Sequence, residues 1–292
     1  EIIFYISQNE INPAFVMGVI FIILGASFKL SAVPLHVWTP DVYQGSPTAI
    51  TGFISVASKS AGFVFVLRLL SYTFLNLNYV WVPILSVIAF LTMTIGNLIA
   101  IPQKNIKRLL AYSTISQAGY MLVGLVGASV IGISSVLFYL FIYTFTNIAA
   151  FAVVAGVEKY TGSCEISEYT SLSQRNPLLA LTFLLSLLSL AGIPPLAGFV
   201  GKFYLFYAAM QRGYLWLVIL AALNSTLSLY YYLMVLKQMY IRNEKAEMEK
   251  IKLPFNVVLV LVICIAAIII FGIMPADIID LTIDAGQAMF AK

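Results

Sequence analysis

Three lysines and one histidine are the residues of this 292-residue chain whose types and positions suit chemistry. Lys59 falls in the middle of an apolar run over 47–70, and Lys29 and Lys202 fall in long apolar segments interrupted by Pro or Gly. An ammonium at the centre of a spanning helix costs roughly 3 kcal/mol on insertion scales, so it normally faces a polar cavity, a partner charge or an ion path. The chemistry open to it there is proton exchange. A lysine exchanges protons near neutral pH only when its pKa lies far below the ordinary value of about 10.4, and burial or a neighbouring cation acts in that direction. Lys29, Lys59 and Lys202 are therefore candidate proton relays, and snorkelling of the long stem to the membrane interface is the structural alternative. His36, the sole histidine, follows Lys29 by seven residues, two helical turns onward on a similar face. Its ordinary pKa of about 6.5 suits a shuttle. A hydrogen-bonded interfacial histidine packed near Trp38 is the competing reading.

The elements that must position these groups follow from composition. The chain is 61% hydrophobic and 10% charged, with apolar stretches recurring along its whole length, which marks an all-α integral membrane protein. Spans are expected at about 11–41, 47–70, 80–101, 109–128, 132–157, 177–211, 214–237 and 254–274, eight crossings in a single transmembrane domain over 1–292. A straight spanning helix needs about 20 residues. The spans 11–41 and 177–211 exceed that, and each contains Pro or Gly near its middle, so both read as broken helices. The first break is expected around Lys29–Pro34 and the second across Gly192–Lys202. Backbone freed by such a break must be satisfied again, which is why broken helices line cavities in transporters. The two broken segments are five crossings apart and run in opposite directions, as inverted repeats would, which makes Lys29 and Lys202 pseudo-equivalent.

Ten basic residues (Lys104, Lys107, Arg108, Lys159, Arg175, Lys237, Arg242, Lys245, Lys250 and Lys252) fall on one side of an eight-span chain, and only Arg68, Arg212 and Lys292 on the other. The positive-inside rule places the ten in the cytoplasm, or on the matrix-like side of an organelle. The chain start and the tail with Asp277, Asp280 and Asp284 then lie on the opposite face.

Other polar groups suggest positioning. Ser113, Gln117 and Tyr120 form a stripe at helical spacing, as do Tyr139, Tyr143, Thr146 and Asn147. Such stripes can order water chains or bond helix to helix. Asp41 follows Pro40 and reads as a cap or tether rather than a conductor. The stretch 240–253, rich in Lys, Arg and Glu, reads as a solvated connector. Apart from Asp41 at the very end of the first, no Asp or Glu falls inside an expected span, so a carboxylate partner for the lysines would come from outside the chain. The small net charge of +4 and short loops argue against a nucleic-acid partner. Cys164 and Cys264 match no metal-ligand spacing, no Gly-rich nucleotide fingerprint is present, and one histidine cannot supply bis-His haem ligation. No cofactor is expected on this chain.

Three runs carry a family resemblance: Phe28–Tyr43 with Gly45-Ser-Pro-Thr48 and Ser55-Val-Ala-Ser-Lys59, then Asn105–Tyr120, then Ala191–Phe203. Together they resemble the antiporter-like subunit N family of proton-pumping NADH:quinone oxidoreductase, called subunit 2 in mitochondrial and chloroplast-type complexes. Members of that family have about fourteen spanning helices in two inverted five-helix repeats, and this chain resembles the last eight. The family's glutamate on its fifth helix and a lysine on its sixth would lie upstream of Glu1. The resemblance implies that the lysines of the seventh, eighth and twelfth helices carry protons, and these fall on Lys29, Lys59 and Lys202. It implies a multi-pass protein of an inner or cell membrane, partnered by other membrane subunits including antiporter-like paralogues. Quinone, NAD, FMN and iron–sulfur clusters would sit on partner subunits. Two alternatives stay open: a subunit of a multi-subunit cation/proton antiporter, and a structural membrane subunit with inert lysines.

Overall fold

The computed structural model describes residues 13–241 and 250–290. Arg242 and Lys245 of the basic set, Lys292, and most of the charged connector lie outside the described residues. The chain folds as a helical bundle built of α1 (Pro13–Leu30), α2 (Trp38–Gly45), α3 (Thr48–Thr73), α4 (Asn78–Ala100), α5 (Ile106–Val126), α6 (Val130–Thr161), α7 (Pro177–Ala191), α8 (Ala197–Gln211), α9 (Leu215–Tyr240), α10 (Phe255–Ile273) and α11 (Ala276–Phe290). Among the described residues seven helices are long and apolar enough to cross a membrane by themselves. The eighth expected crossing is built from two 15-residue halves, α7 and α8.

Both breaks fall where Pro and Gly place them. The first occupies 31–37, between α1 and α2, and α2 continues to Gly45, past the expected end at 41. The second occupies Gly192–Leu196. Gly192 sits at φ +85°, the left-handed conformation that a helix-ending residue adopts and that L side chains resist. Lys29 stands in the last turn before its break, whereas Lys202 stands in the second turn after its own. The two lysines therefore stand on opposite sides of their breaks along the chain.

Helix α5 is the axis of the bundle. Nearly all its residues are buried, and it packs against α2, α4, α6, α8 and α9. A helix buried on every face has no solvated side, so its Ser, Thr, Gln and Tyr residues necessarily point into protein. Its approach to α4 is backbone to backbone: a Cβ on Gly119 would lie 2.7 Å from the Met93 nitrogen. Small residues permit such contacts, which give membrane helices much of their attraction. Asn105 caps α5, its side chain accepting from the Lys107 and Arg108 nitrogens at 3.0 and 3.2 Å. Ser129 caps α6 in the same way, through the Gly132 nitrogen.

Two features depart from the expected layout. Helix α6 continues to Thr161, beyond the expected 157, and so brings Glu158 into its last turn, where no carboxylate was expected. The tail after 274 forms α11, with Asp277 in its first turn. This helix packs along α6, where Ser134 Oγ donates to the Thr282 carbonyl at 2.9 Å. Its acidic residues recur between apolar ones, a pattern the search for uniformly apolar spans passes over.

Candidate functional site

Lys59 follows a π-turn, Ile54–Ser58, set into α3. Such one-turn insertions shift helical register and recur at functional sites. Its side chain is 3% exposed and crosses to the bundle axis, where Nζ donates to the Thr114 carbonyl at 2.9 Å. The Thr114 hydroxyl accepts from Tyr143 Oη at 3.1 Å, and Asn147 Nδ2 donates to that same Tyr143 oxygen at 3.0 Å. Asn147 also donates to Ser55 Oγ at 2.6 Å, which closes a polar circuit back onto α3 one turn before Lys59.

The chain of polar groups continues past Tyr143. Tyr139 stacks on it, with ring centroids 6.4 Å apart, and the Tyr139 hydroxyl donates to Gln117 Oε1 at 2.6 Å. Gln117 Nε2 donates to the Leu190 carbonyl at 3.0 Å, in the last turn of α7. The next carbonyl, Ala191, is left open by the break and accepts from Lys202 Nζ at 3.2 Å and from Ser225 Oγ at 2.8 Å. Lys202 is 3% exposed, also donates to Ser225 Oγ at 2.9 Å, and lies 4.2 Å from the centre of the Tyr120 ring. The two buried lysines thus terminate one sequence of buried polar groups that runs through α5, α6 and α7.

A branch leaves this sequence toward α9 and α4. Gln117 donates to Tyr232 Oη at 3.4 Å, Tyr231 donates to Asn97 Oδ1 at 3.0 Å, and Asn97 Nδ2 contacts Tyr120 Oη and the Asn224 carbonyl at 3.3 and 2.9 Å. Of these, Asn97, Asn224, Ser225, Tyr231 and Tyr232 were not singled out from sequence. Asn97, an amide set inside the apolar stretch of α4, was a signal for one of them.

The remaining candidates are placed differently. Lys29 is exposed on the surface of this chain, but its Nζ donates to Ser58 Oγ at 2.9 Å, beside Lys59. His36 lies in the break and not on a helix with Lys29, so the two share no helical face, and its Nδ1 is buried without a hydrogen-bond partner. Trp38 turns to Phe28, donating to its carbonyl at 3.1 Å. Asp41 pairs with Arg108 Nη1 at 2.7 Å, tethering α2 to the start of α5. Thr146 bonds its own helix through the Ile142 carbonyl at 2.9 Å. Among the described residues no group of three or more His, Cys, Asp and Glu side chains is placed to hold a metal ion.

The arrangement matches known proteins over most of its length. The transmembrane family described as NADH:quinone oxidoreductase/Mrp antiporter matches residues 1–228. The NADH-quinone oxidoreductase subunit N of Moorella thermoacetica is 46% identical over 285 residues, which cover 98% of this chain and 60% of that protein. A chain of respiratory complex I from Thermus thermophilus superposes with a TM-score of 0.81 at 33% identity, covering 94% of this chain and 60% of that one. A chain of the Mrp complex from Dietzia sp. superposes with a TM-score of 0.87 at 21% identity, covering 96% and 60%, and shows the shared fold alone. The chain spans about 60% of the length of the curated relative it matches. A multi-pass, all-helical membrane chain with this match belongs to the NADH:quinone oxidoreductase/Mrp antiporter transmembrane family.

Proposed function

We propose that this chain is part of the proton-translocating membrane arm of a quinone-reducing NADH dehydrogenase-type complex, and that Lys59 and Lys202 are its relay residues. The carrying observation is the succession of buried polar side chains and carbonyls between these two lysines, hydrogen-bonded on either side of the stacked Tyr143 and Tyr139 rings. Among the described residues neither lysine has a carboxylate partner. Lys59 is solvated by the Thr114 carbonyl, and Lys202 by the Ala191 carbonyl, the Ser225 hydroxyl and the Tyr120 face, uncharged settings that tolerate both the ammonium and the neutral amine.

In this reading Lys29 joins the relay through Ser58, and His36 serves as a shuttle between the break and the aqueous phase. The polar side chains of α5 and α6 orient the groups and the water that carry protons between the lysines. The chain performs the transport part as a single transmembrane domain. The quinone, NAD, FMN and iron–sulfur clusters belong to other subunits, and the membrane partners include antiporter-like paralogues. Lys104, Lys107, Arg108 and Lys159 face the cytoplasm and α11 the opposite side, as basic residues collect on the cytoplasmic face.

The relatives at 46% identity favour this reading over a cation/proton antiporter subunit, since the likeness to the Mrp chain extends to the fold alone. Purification in mild detergent tests it. Flavin and iron–sulfur proteins should accompany the chain, and a stable assembly without them contradicts the reading.

A further inference from the structure

Glu158 is the one carboxylate of the last turn of α6, and the relay between the two lysines makes no use of it. It is held on three sides. Lys107 Nζ approaches Glu158 Oε1 at 3.5 Å, the Thr48 hydroxyl donates to Oε2, and the Cys164 thiol donates to the same carboxylate. Lys107 is only 5% exposed, while Glu158 keeps 32% of its side-chain surface open. An ion pair with one member sealed and the other open to water is a poor staple, because the open carboxylate is screened and its pairing weak. The open face of Glu158 meets the aqueous phase, and its three donors favour the ionised carboxylate, so a proton taken up there is readily passed on.

From Thr48 a buried stripe leads inward. Thr48, Thr51, Ser55 and Lys59 follow one another at intervals of three, four and four along α3, and their exposures are 5%, 0%, 0% and 3%. That spacing puts them on one face of the helix. Thr51 Oγ1 contacts the Ser46 carbonyl at 3.4 Å, and this carbonyl also accepts from Lys107 Nζ at 2.8 Å, so the stripe meets the Glu158 cluster at two points. At its inner end Ser55 accepts from Asn147, which leads through Tyr143 to Thr114, whose carbonyl accepts from the Lys59 ammonium. The titratable groups facing Glu158 are Lys107, Cys164 and Tyr169, with Glu165 behind Cys164.

We propose that Glu158 is a proton-loading site at the mouth of the bundle, which takes protons from water at this end and delivers them along Thr48, Thr51 and Ser55 to Lys59. The carboxylate binds a proton from water. That proton passes inward through water ordered by these hydroxyls, arrives on the neutral amine of Lys59 to form the ammonium, and leaves Glu158 ionised and ready to reload. Lys107 positions the carboxylate and limits how long it stays protonated. The inference rests on the reading of Lys59 as a relay.

The test uses the assembled complex in native membrane vesicles, with Glu158→Gln, Glu158→Asp, Thr51→Val and Lys59→Ala made singly. Glu158→Gln should lower the rate of coupled proton translocation about a hundred-fold, the low end of what losing one acid–base group costs, with the deficit widening as pH is raised through neutrality. Glu158→Asp should restore most of the rate, and Thr51→Val, which keeps the side-chain shape and removes the hydroxyl, should slow translocation at every pH. A merely structural Glu158 would change the amount of complex and leave the pH profile unmoved. Wild-type rates in Glu158→Gln across the pH range, beside a Lys59→Ala variant that does not pump, overturn the loading site while leaving the relay intact. If Glu158→Gln does not assemble, Thr51→Val decides, and its pumping at the wild-type rate overturns the proposal. If Lys59→Ala itself pumps normally, the relay falls and the loading site with it.

Discussion

The ammonium of Lys202 lies 4.2 Å from the centre of the Tyr120 ring. An aromatic face attracts a desolvated cation by about 2 kcal/mol without itself carrying charge, so it favours the ammonium without trapping the proton as a carboxylate would. The ring, not its hydroxyl, is the group that matters. Tyr120→Phe should therefore translocate protons within about two-fold of wild type, and Tyr120→Leu about ten-fold more slowly, the factor equivalent to losing most of that attraction. Equal loss in both variants would assign the effect to the Tyr120 contact with Asn97 instead.

Lys202 itself tests whether proton release or fixed charge is required. Its Nζ is solvated by the Ala191 carbonyl freed at the Gly192–Leu196 break and by Ser225. Arginine keeps its proton at any pH a protein survives, so Lys202→Arg preserves charge and removes exchange. Lys202→Met and Lys202→Arg should both impair translocation in an assembled complex, and electron transfer should slow with it. Normal proton stoichiometry in Lys202→Arg would replace the relay role by an electrostatic one.

Cys164 reports on the Glu158 cluster from outside the spanning helices. Burial first, and then the neighbouring Glu158 carboxylate, push its thiol up to about 12. The sign is unambiguous: a raised thiol pKa keeps the sulfur protonated through neutrality, and the reactive thiolate appears only in alkali. In a Cys264→Ser background, alkylation at pH 7.5 should be at least about a hundred-fold slower than that of a free thiol. Glu158→Gln should accelerate it several-fold. Rapid labelling of Cys164 at neutral pH would contradict the described packing around Glu158.

The sequence made the two breaks legible because Pro and Gly act locally: Pro34 and Pro194-Pro195 remove donors wherever they stand, and Gly192 permits its left-handed turn. Lys59 and Lys202 were legible because a charge in an apolar run has few uses. The polar faces of α5 and α6 were legible as stripes at helical spacing, Gln117 with Tyr120 and Tyr139 with Tyr143. Their partners on α4 and α9, Asn97 and Ser225 among them, were not, because isolated polar residues in an apolar run form no stripe. Glu158 escaped for a different reason. Hydropathy ends a span where charge begins, whereas the backbone of α6 continues until Gly162, whose φ of +72° ends it. The seven-residue spacing of Lys29 and His36 misled because it assumed a helix where the chain breaks.

Orientation can be read by single cysteines. Lys104 and Ala285 are exposed, one in the α4–α5 connection and the other on α11, and neither position caps a helix. In a background lacking Cys164 and Cys264, Lys104→Cys should react with an impermeant thiol reagent only from the cytoplasmic side, and Ala285→Cys only from the opposite side. Labelling of both from one side would overturn the span count.

Lys59 carries the central claim. It is buried beside its π-turn, donates to the Thr114 carbonyl at 2.9 Å, and joins both the Ser55 stripe and the chain toward Lys202. The direct measurement is the number of protons translocated per electron pair in vesicles holding a fully assembled complex with Lys59→Ala. The relay account predicts that the contribution of this subunit disappears, with coupled turnover lowered by about a hundred-fold or more, a loss consistent with removing an acid–base group from an obligatory path. Wild-type stoichiometry at wild-type turnover in that assembled variant would contradict it.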